Sequence, residues 1–288
     1  MENKIVIAAD STCDLSAELI ERYHVKILPL TVNLGEEQYL DGVDVDPDMI
    51  YRHYEEKGEL PKTAAPNLSR FQDFFKQHTA DGSDMVFFTL SSTMSSTYNN
   101  AGLAASEFEG VHVVDTKNLS TGGGLLVVAA GEMVREGKRA EEIAAACRDL
   151  AGRVDASFIV DDLEFLYKGG RCSAVAAFGA NLLQLKPCIV VRDGKMGVGK
   201  KYRGKFPMVL QKYIADRIGD ASDVELDRIF VTHAGCDEAI WQQCVEQVKA
   251  LAPFKEVFLT RAGCTISSHC GRNTLGVLFI RKTPLAES

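Results

Sequence analysis

Six hydroxyl side chains fall within seven consecutive positions, at Ser91, Ser92, Thr93, Ser95, Ser96 and Thr97, with only Met94 between them. They follow an apolar run, Met85-Val-Phe-Phe-Thr-Leu90, rich in strand formers. They precede a small-residue helical pattern that starts near Thr97. Strand, hydroxyl loop, helix is an arrangement that suits an anion: the first N–H groups of a helix have no partner within it, and hydroxyls add donors without adding charge. A carboxylate or a phosphate is the natural guest. The alternative is a helix start over-supplied with capping groups.

Other residues invite chemical readings. Ser92, His269 and Asp115 together would supply the nucleophile, base and orienting acid of a serine hydrolase. No GxSxG elbow accompanies them. His269 lies in a polar segment, Thr265-Ile-Ser-Ser-His-Cys-Gly271, which reads as a tight turn between two strands, and its imidazole could donate a hydrogen bond to a carboxylate. His233-Ala-Gly-Cys236, and Cys264 with His269 and Cys270, each give half of a zinc pattern without the other half. No GxxxxGK[ST] or GxGxxG loop is present, so a nucleotide site is not expected. Arg171, in Lys168-Gly-Gly-Arg-Cys-Ser173, is a cation placed to meet a phosphate, a partner or an acid across a domain interface. A basic run from Arg192 to Lys205 has only Asp193 to answer it. It reads as a solvated hairpin or as a docking patch for an acidic partner.

These residues need elements to hold them. Strand–loop–helix order recurs through the first half: a strand at Lys4–Ala9, a helix at Ala17–Tyr23, a strand at Val25–Val32, a turn-like Gly35–Val45, a helix at Asp46–Lys57, a loop at Leu60–Asn67 and an amphipathic helix at Leu68–Thr79. A strand at Val111–Val114 then ends at Asp115. This is the pattern of a doubly wound α/β domain, in which ligands lie beyond the carboxyl ends of strands. Ser11, Ser92 and Asp115 all fall at such ends, where one crevice could serve them. Gly122-Gly-Gly124 opens another helix with bare backbone, either for close packing or for a ligand. The second half differs. Asp193-Gly194 between Cys188–Arg192 and Lys195–Gly199 predicts a hairpin, hence antiparallel strands. The expected division is a mostly parallel α/β domain over residues 1–155 and an α+β domain over residues 156–288, with the change near Arg153–Phe158. Clefts between such domains are frequent ligand sites.

Composition narrows the function. The chain has 288 residues, 46% of them hydrophobic, and a net charge of −8. That balance supports a sizeable core and speaks against general nucleic-acid binding. Its longest apolar segment, Gly122–Gly131, is too short to span a bilayer. The eight cysteines are scattered without a CxxC pair, so they read as reduced, core-filling residues of a cytoplasmic protein.

Several segments, in order along the chain, resemble the DegV family of bacterial fatty-acid-binding proteins: DSTCDLS at Asp10–Ser16, LSSTMSSTYNNA at Leu90–Ala101, VVDTKNLSTGGG at Val113–Gly124, FLYKGGRCS at Phe165–Ser173, LLQLKPCIVVRDGK at Leu182–Lys195 and TISSHCGRNTLGV at Thr265–Val277. The resemblance covers essentially the whole chain. It implies a two-domain carrier, not an enzyme and without a cofactor, that holds one long-chain fatty acid between its domains. The acyl chain would occupy an apolar tunnel. The carboxylate would be presented to a separate kinase subunit, and the acyl phosphate would feed phospholipid synthesis. By motif, the head-group contacts would be Thr63, Ser92, Ser95 and His269, and Arg171 would face the kinase. The alternative from a different class is a serine esterase or acyl-transfer enzyme using Ser92 with His269. This chain departs from the family pattern at Thr63-Ala-Ala-Pro-Asn67, which replaces Thr-Ser-Gln-Pro-Ser, at Ser96 in the Ser-Gly-Thr segment, at the glycine usually found ahead of His269, and at Arg272-Asn273, which replaces Pro-Gly.

Overall fold

The computed structural model describes residues 4–175 and 185–285. The first part of the chain runs β1 (Ile5–Asp10), α1 (Ala17–Arg22), β2 (Lys26–Leu28), β3 (Thr31–Leu34), β4 (Glu37–Leu40), α2 (Pro47–Lys57), β5 (Lys62–Ala64), α3 (Leu68–Thr79), β6 (Asp84–Thr89), α4 (Thr97–Ala105), β7 (Val111–Asp115), α5 (Thr121–Arg135) and α6 (Ala140–Ala151). It continues with β8 (Val154–Val160), α7 (Glu164–Lys168), β9 (Leu185–Arg192), β10 (Lys195–Arg203), α8 (Phe206–Ile218), β11 (Val224–Ala234), α9 (Glu238–Leu251), β12 (Glu256–Arg261), α10 (Cys264–Cys270) and β13 (Thr274–Arg281).

Among the described residues these strands form three sheets. The first is parallel throughout, in the order β2-β1-β6-β7. Its strands are buried runs such as Met85–Phe88, as expected where helices cover both faces. On one face α3 packs Phe71, Phe74 and Phe75 against Phe87, with ring centroids 5.4–5.7 Å apart. That helix starts where the Asn67 side chain accepts the Arg70 N–H at 3.0 Å. The second sheet has the order β10-β9-β8-β13-β11-β12 and is antiparallel except for the β11–β12 pair. One of its faces, with Ile159, Val231, Val277 and Phe279, is covered by α8 and α9. The other, with Phe158, Phe230, Ala234 and Leu278, shares one continuous core with β1, β6, α5 and α6. The mixed α/β architecture expected from the sequence is the one observed.

Local departures concern short strands and one helix. The single strand expected at Val25–Val32 is two strands in different sheets, because Pro29 follows Leu28 and the chain turns there. The turn-like Gly35–Val45 contains β4, and the loop at Leu60–Asn67 contains β5. Both flank β3 in a small antiparallel sheet, order β4-β3-β5. The segment read as a tight turn at Thr265–Gly271 is the helix α10. At the expected hairpin, Lys195 pairs with Arg192 and both loop residues have positive φ, 44° at Asp193 and 79° at Gly194. This is the conformation that Asp-Gly loops favour. The residues Leu182–Gln184 of one motif lie outside the described residues.

Candidate functional site

The hydroxyl loop leaves the carboxyl end of β6 and divides its side chains between two tasks. Ser91 Oγ donates to the Gly194 carbonyl at 2.7 Å, and Thr93 Oγ1 donates to the same oxygen. These two hydroxyls therefore dock the β9–β10 hairpin onto the parallel sheet. Ser95 Oγ sits 2.8 Å from Thr97 Oγ1 and accepts the Thr97 N–H at 3.2 Å, at the start of α4. The Ser92 N–H is taken by Asp115 at 3.2 Å, and the Leu90 N–H by Asp10 at 2.8 Å.

Beside this loop lies a cavity of about 470 Å³, within the usual range of small-molecule sites. Leu30, Leu90, Met94, Leu119, Met196 and Ile266 supply an apolar wall. The polar lining gathers at Thr63, Ser95, Ser96, Thr265, His269 and the exposed Arg171. Thr63 and His269 meet directly, Oγ1 to Nε2 at 2.8 Å. The parts of the chain they bring together are far apart in sequence: Thr63 pairs opposite Val32 in the small sheet, and His269 sits on α10.

Two buried carboxylates fix α10. Asp41 accepts the N–H groups of Cys264 at 2.8 Å and Thr265 at 3.0 Å, and the Ser11 hydroxyl at 3.0 Å. Asp14 accepts the Gly263 N–H at 2.8 Å and the Ser120 hydroxyl at 2.5 Å. The free donors of the helix start are thus satisfied from the carboxyl end of β1 and from the loop after β4. Burial drives the Asp14 carboxyl well above its usual range and pushes Asp10 up to about 6. At the other end of α10, burial lowers the His269 imidazole to about 4, and the nearby Arg171 cation adds to the shift. The ring is therefore neutral near pH 7. Its Nδ1 is buried without a hydrogen-bond partner. Gly169 closes over that nitrogen so tightly that a Cβ there would stand 2.7 Å from it. Arg171 reaches back to donate to the Gly169 carbonyl at 2.7 Å.

Of the residues singled out from sequence, Thr63, Ser95, His269 and Arg171 line this one cavity. Ser92, Asp115 and Ser11 are not among its lining residues. Ser11 is committed to Asp41 and to the Leu30 N–H at 3.0 Å. His269 is paired with Thr63 and not with Ser92, so the Ser92–His269–Asp115 hydrolase geometry is not assembled. Thr265 escaped the sequence reading. It lines the cavity one helical turn from His269, and its buried Oγ1 has no hydrogen-bond partner. The spacing of four would have shown it only to a reader who took the segment for a helix.

The remaining candidates are structural. The glycine run serves packing: a Cβ on Gly122 would stand 2.1 Å from Asn118 Oδ1, and one on Gly124 would stand 2.8 Å from the Cys13 carbonyl. The basic run has more counter-charges than Asp193. Arg192 lies 3.6 Å from the buried Asp155, and Lys200 lies 2.6 Å from Asp216. All eight cysteines are free and buried. No helix among the described residues is long and apolar enough to cross a membrane.

A family model described as "Uncharacterised protein, DegV family" matches residues 4–282. A DegV domain-containing protein of Clostridium perfringens is 35% identical over 290 residues, which cover 97% of this chain and 99% of that protein. Among solved structures, a DegV family protein from Thermus thermophilus, described as fatty-acid binding, is 30% identical and superposes with a TM-score of 0.87 over 96% of this chain and 99% of that one. A stearic-acid-binding protein from Eubacterium ventriosum is 27% identical, with a TM-score of 0.81 over 96% and 98% of the two chains.

Proposed function

The chain belongs to the DegV family, and on that premise we propose that it binds a long-chain fatty acid in the cavity beside the hydroxyl loop and presents the carboxylate to a separate kinase subunit for acyl-phosphate formation. In this reading the acid lies between a unit of residues 1–155 and one of residues 156–288. The observation that carries it is the Thr63–His269 pair on the lining of a cavity of about 470 Å³ that joins an apolar wall to neutral hydroxyl groups. Ser95 and Thr265 stand on the same lining. Neutral donors suit a carboxylate that must react. They replace part of the water it loses, and they hold it less firmly than a bidentate guanidinium would. The Ser92 contact implied by family motif is not part of the proposal, since Ser92 is not on the lining.

The acyl chain supplies most of the affinity, at about 0.8 kcal/mol for each methylene buried. Arg171 is exposed beside the head-group site, where it can face a partner and the phosphate being transferred. The relatives described as fatty-acid and stearic-acid binding support the ligand class. Organic extraction of the purified protein followed by mass spectrometry is expected to recover a fatty acid at about one equivalent. Repeated recovery of empty protein that takes up neither stearate nor oleate would sink the proposal. For the second step, a kinase subunit with ATP is expected to yield an acyl phosphate that hydroxylamine traps as a hydroxamate. Arg171→Ala is expected to lower that yield while leaving the lipid content unchanged.

A further inference from the structure

Behind the main cavity lies a second, smaller void of about 30 Å³. Leu119, Ile266 and Cys270 line both, so these three side chains stand between an outer and an inner space. One glycine of β13 lies on the lining of this second space. In β13, Gly276 pairs opposite Phe158 on β8 and Thr232 on β11, in the middle of the sheet. A Cβ at Gly276 would stand 2.6 Å from the Ser157 carbonyl and 3.0 Å from the Phe158 Cβ. A glycine inside a strand weakens it and often marks a close approach by something else. Here the close approach is that of the neighbouring strand, and Phe158, Gly276 and Leu278 together form the sheet side of the chamber's lining.

The chamber's polar residues have spent their heteroatoms elsewhere. Thr232 Oγ1 lies 2.6 Å from Thr121 Oγ1 and 2.8 Å from Thr260 Oγ1. Ser120 donates to Asp14, Thr274 donates to the Cys270 carbonyl at 3.0 Å, and His233 Nδ1 accepts the Cys236 N–H at 3.4 Å. What remains to face a guest is carbon. The space holds about two methyl-sized groups.

Resting on the fatty-acid reading above, we propose that this inner chamber receives the methyl end of the acyl chain and that Phe158, across from Gly276, is the stop that sets chain length. Phe158 acts as a specificity-determining residue remote from the head group. The test uses the delipidated full-length protein and a series of straight-chain saturated acids, with affinities from calorimetry. In the wild type, affinity rises about fourfold with each added methylene and then breaks where the chamber is full. Phe158→Leu enlarges the chamber and moves the break to acids longer by about one or two carbons. Ala262→Val, on the same lining, moves it to shorter ones. A break that stays in place in both variants, each folded by near-ultraviolet circular dichroism and each still binding dodecanoate, overturns the proposal and leaves fatty-acid binding intact. If the wild type binds no acid of any length, the fatty-acid reading itself falls and takes this one with it.

Discussion

At His269 burial has removed a charge that would otherwise attract the ligand, and that loss has a signature in stability. The folded imidazole titrates near 4, against an ordinary value of 6.5, with burial as the main cause and the Arg171 cation as the second. Between those two values the unfolded chain holds a proton that the folded chain does not. Stability contributed by the neutral ring is therefore complete above pH 6.5 and is lost as pH falls toward 4. In His269→Gln that loss is absent. Relative to wild type, the variant is expected to gain stability on acidification over this window, by up to about 3 kcal/mol. Urea titrations of both proteins at several pH values check it, and a difference that does not change with pH would contradict the burial argument. Taking the difference matters because Asp10, raised to about 6 by burial, works in the opposite direction in each protein. At this scale the sequence was partly legible. His269 stood out among small hydroxyl residues, whereas Thr63 came only from the resemblance to the family motif, its own surroundings reading as a plain loop; both line the cavity. Ser92 and Ser95 could not be told apart, because they differ only in which way one turn of backbone aims them.

The helix that carries His269 is held by hydrogen-bond acceptors brought from elsewhere. α10 contains threonine, serine, histidine and cysteine, none of them a strong helix former, and spans only seven residues. Nothing local would keep it wound. Asp41 supplies what the sequence of the helix lacks, by taking two of its first N–H groups at once. Removing it in Asp41→Ala leaves two buried donors unsatisfied and is expected to cost about 3 kcal/mol of stability. Fatty-acid affinity should fall as well, because the Thr63–His269 contact depends on where α10 sits. Denaturant midpoints and calorimetry measure the two effects, and an Asp41→Ala protein as stable as wild type would show that the helix needs no such cap. The same physics explains why the sequence reading recovered α3 at its full extent but took α10 for a turn. In α3 the cap at Asn67 and the phenylalanines at 71, 74 and 75 are written into the helix itself. In α10 the decisive residue is more than two hundred positions away. The glycine run at the start of α5 was undecided for a related reason, since bare backbone fits a ligand and a neighbouring loop equally well until the neighbour is seen.

Across the whole molecule, the cavity is a property of all three sheets held in register and belongs to none alone, Thr63 and Ala64 coming from the small one. Leu90, Met94 and Leu119 come from the side of the parallel sheet, while Met196, Ile266 and His269 come from the β10 and α10 side. Part of that register depends on the hairpin turn, where Ser91 and Thr93 both donate to the Gly194 carbonyl and Met196 follows two residues later on the cavity wall. Gly194 has φ 79°, and a Cβ on it would stand 2.6 Å from Ser91 Oγ. Gly194→Ala therefore strains the turn and pushes it off the hydroxyl loop at the same time. The hairpin strands themselves need not unpair, so the expected result is a folded protein whose cavity wall has loosened beside Met196. The melting temperature should drop by a few degrees, in keeping with a loss of about 1–2 kcal/mol. A bound fatty acid should pass to acceptor vesicles about tenfold faster, because most changes in affinity at a formed site appear in the dissociation rate. The head-group pair is untouched by this substitution. A Gly194→Ala protein that releases lipid at the wild-type rate would therefore mean that the hairpin merely lies against the site and does not close it.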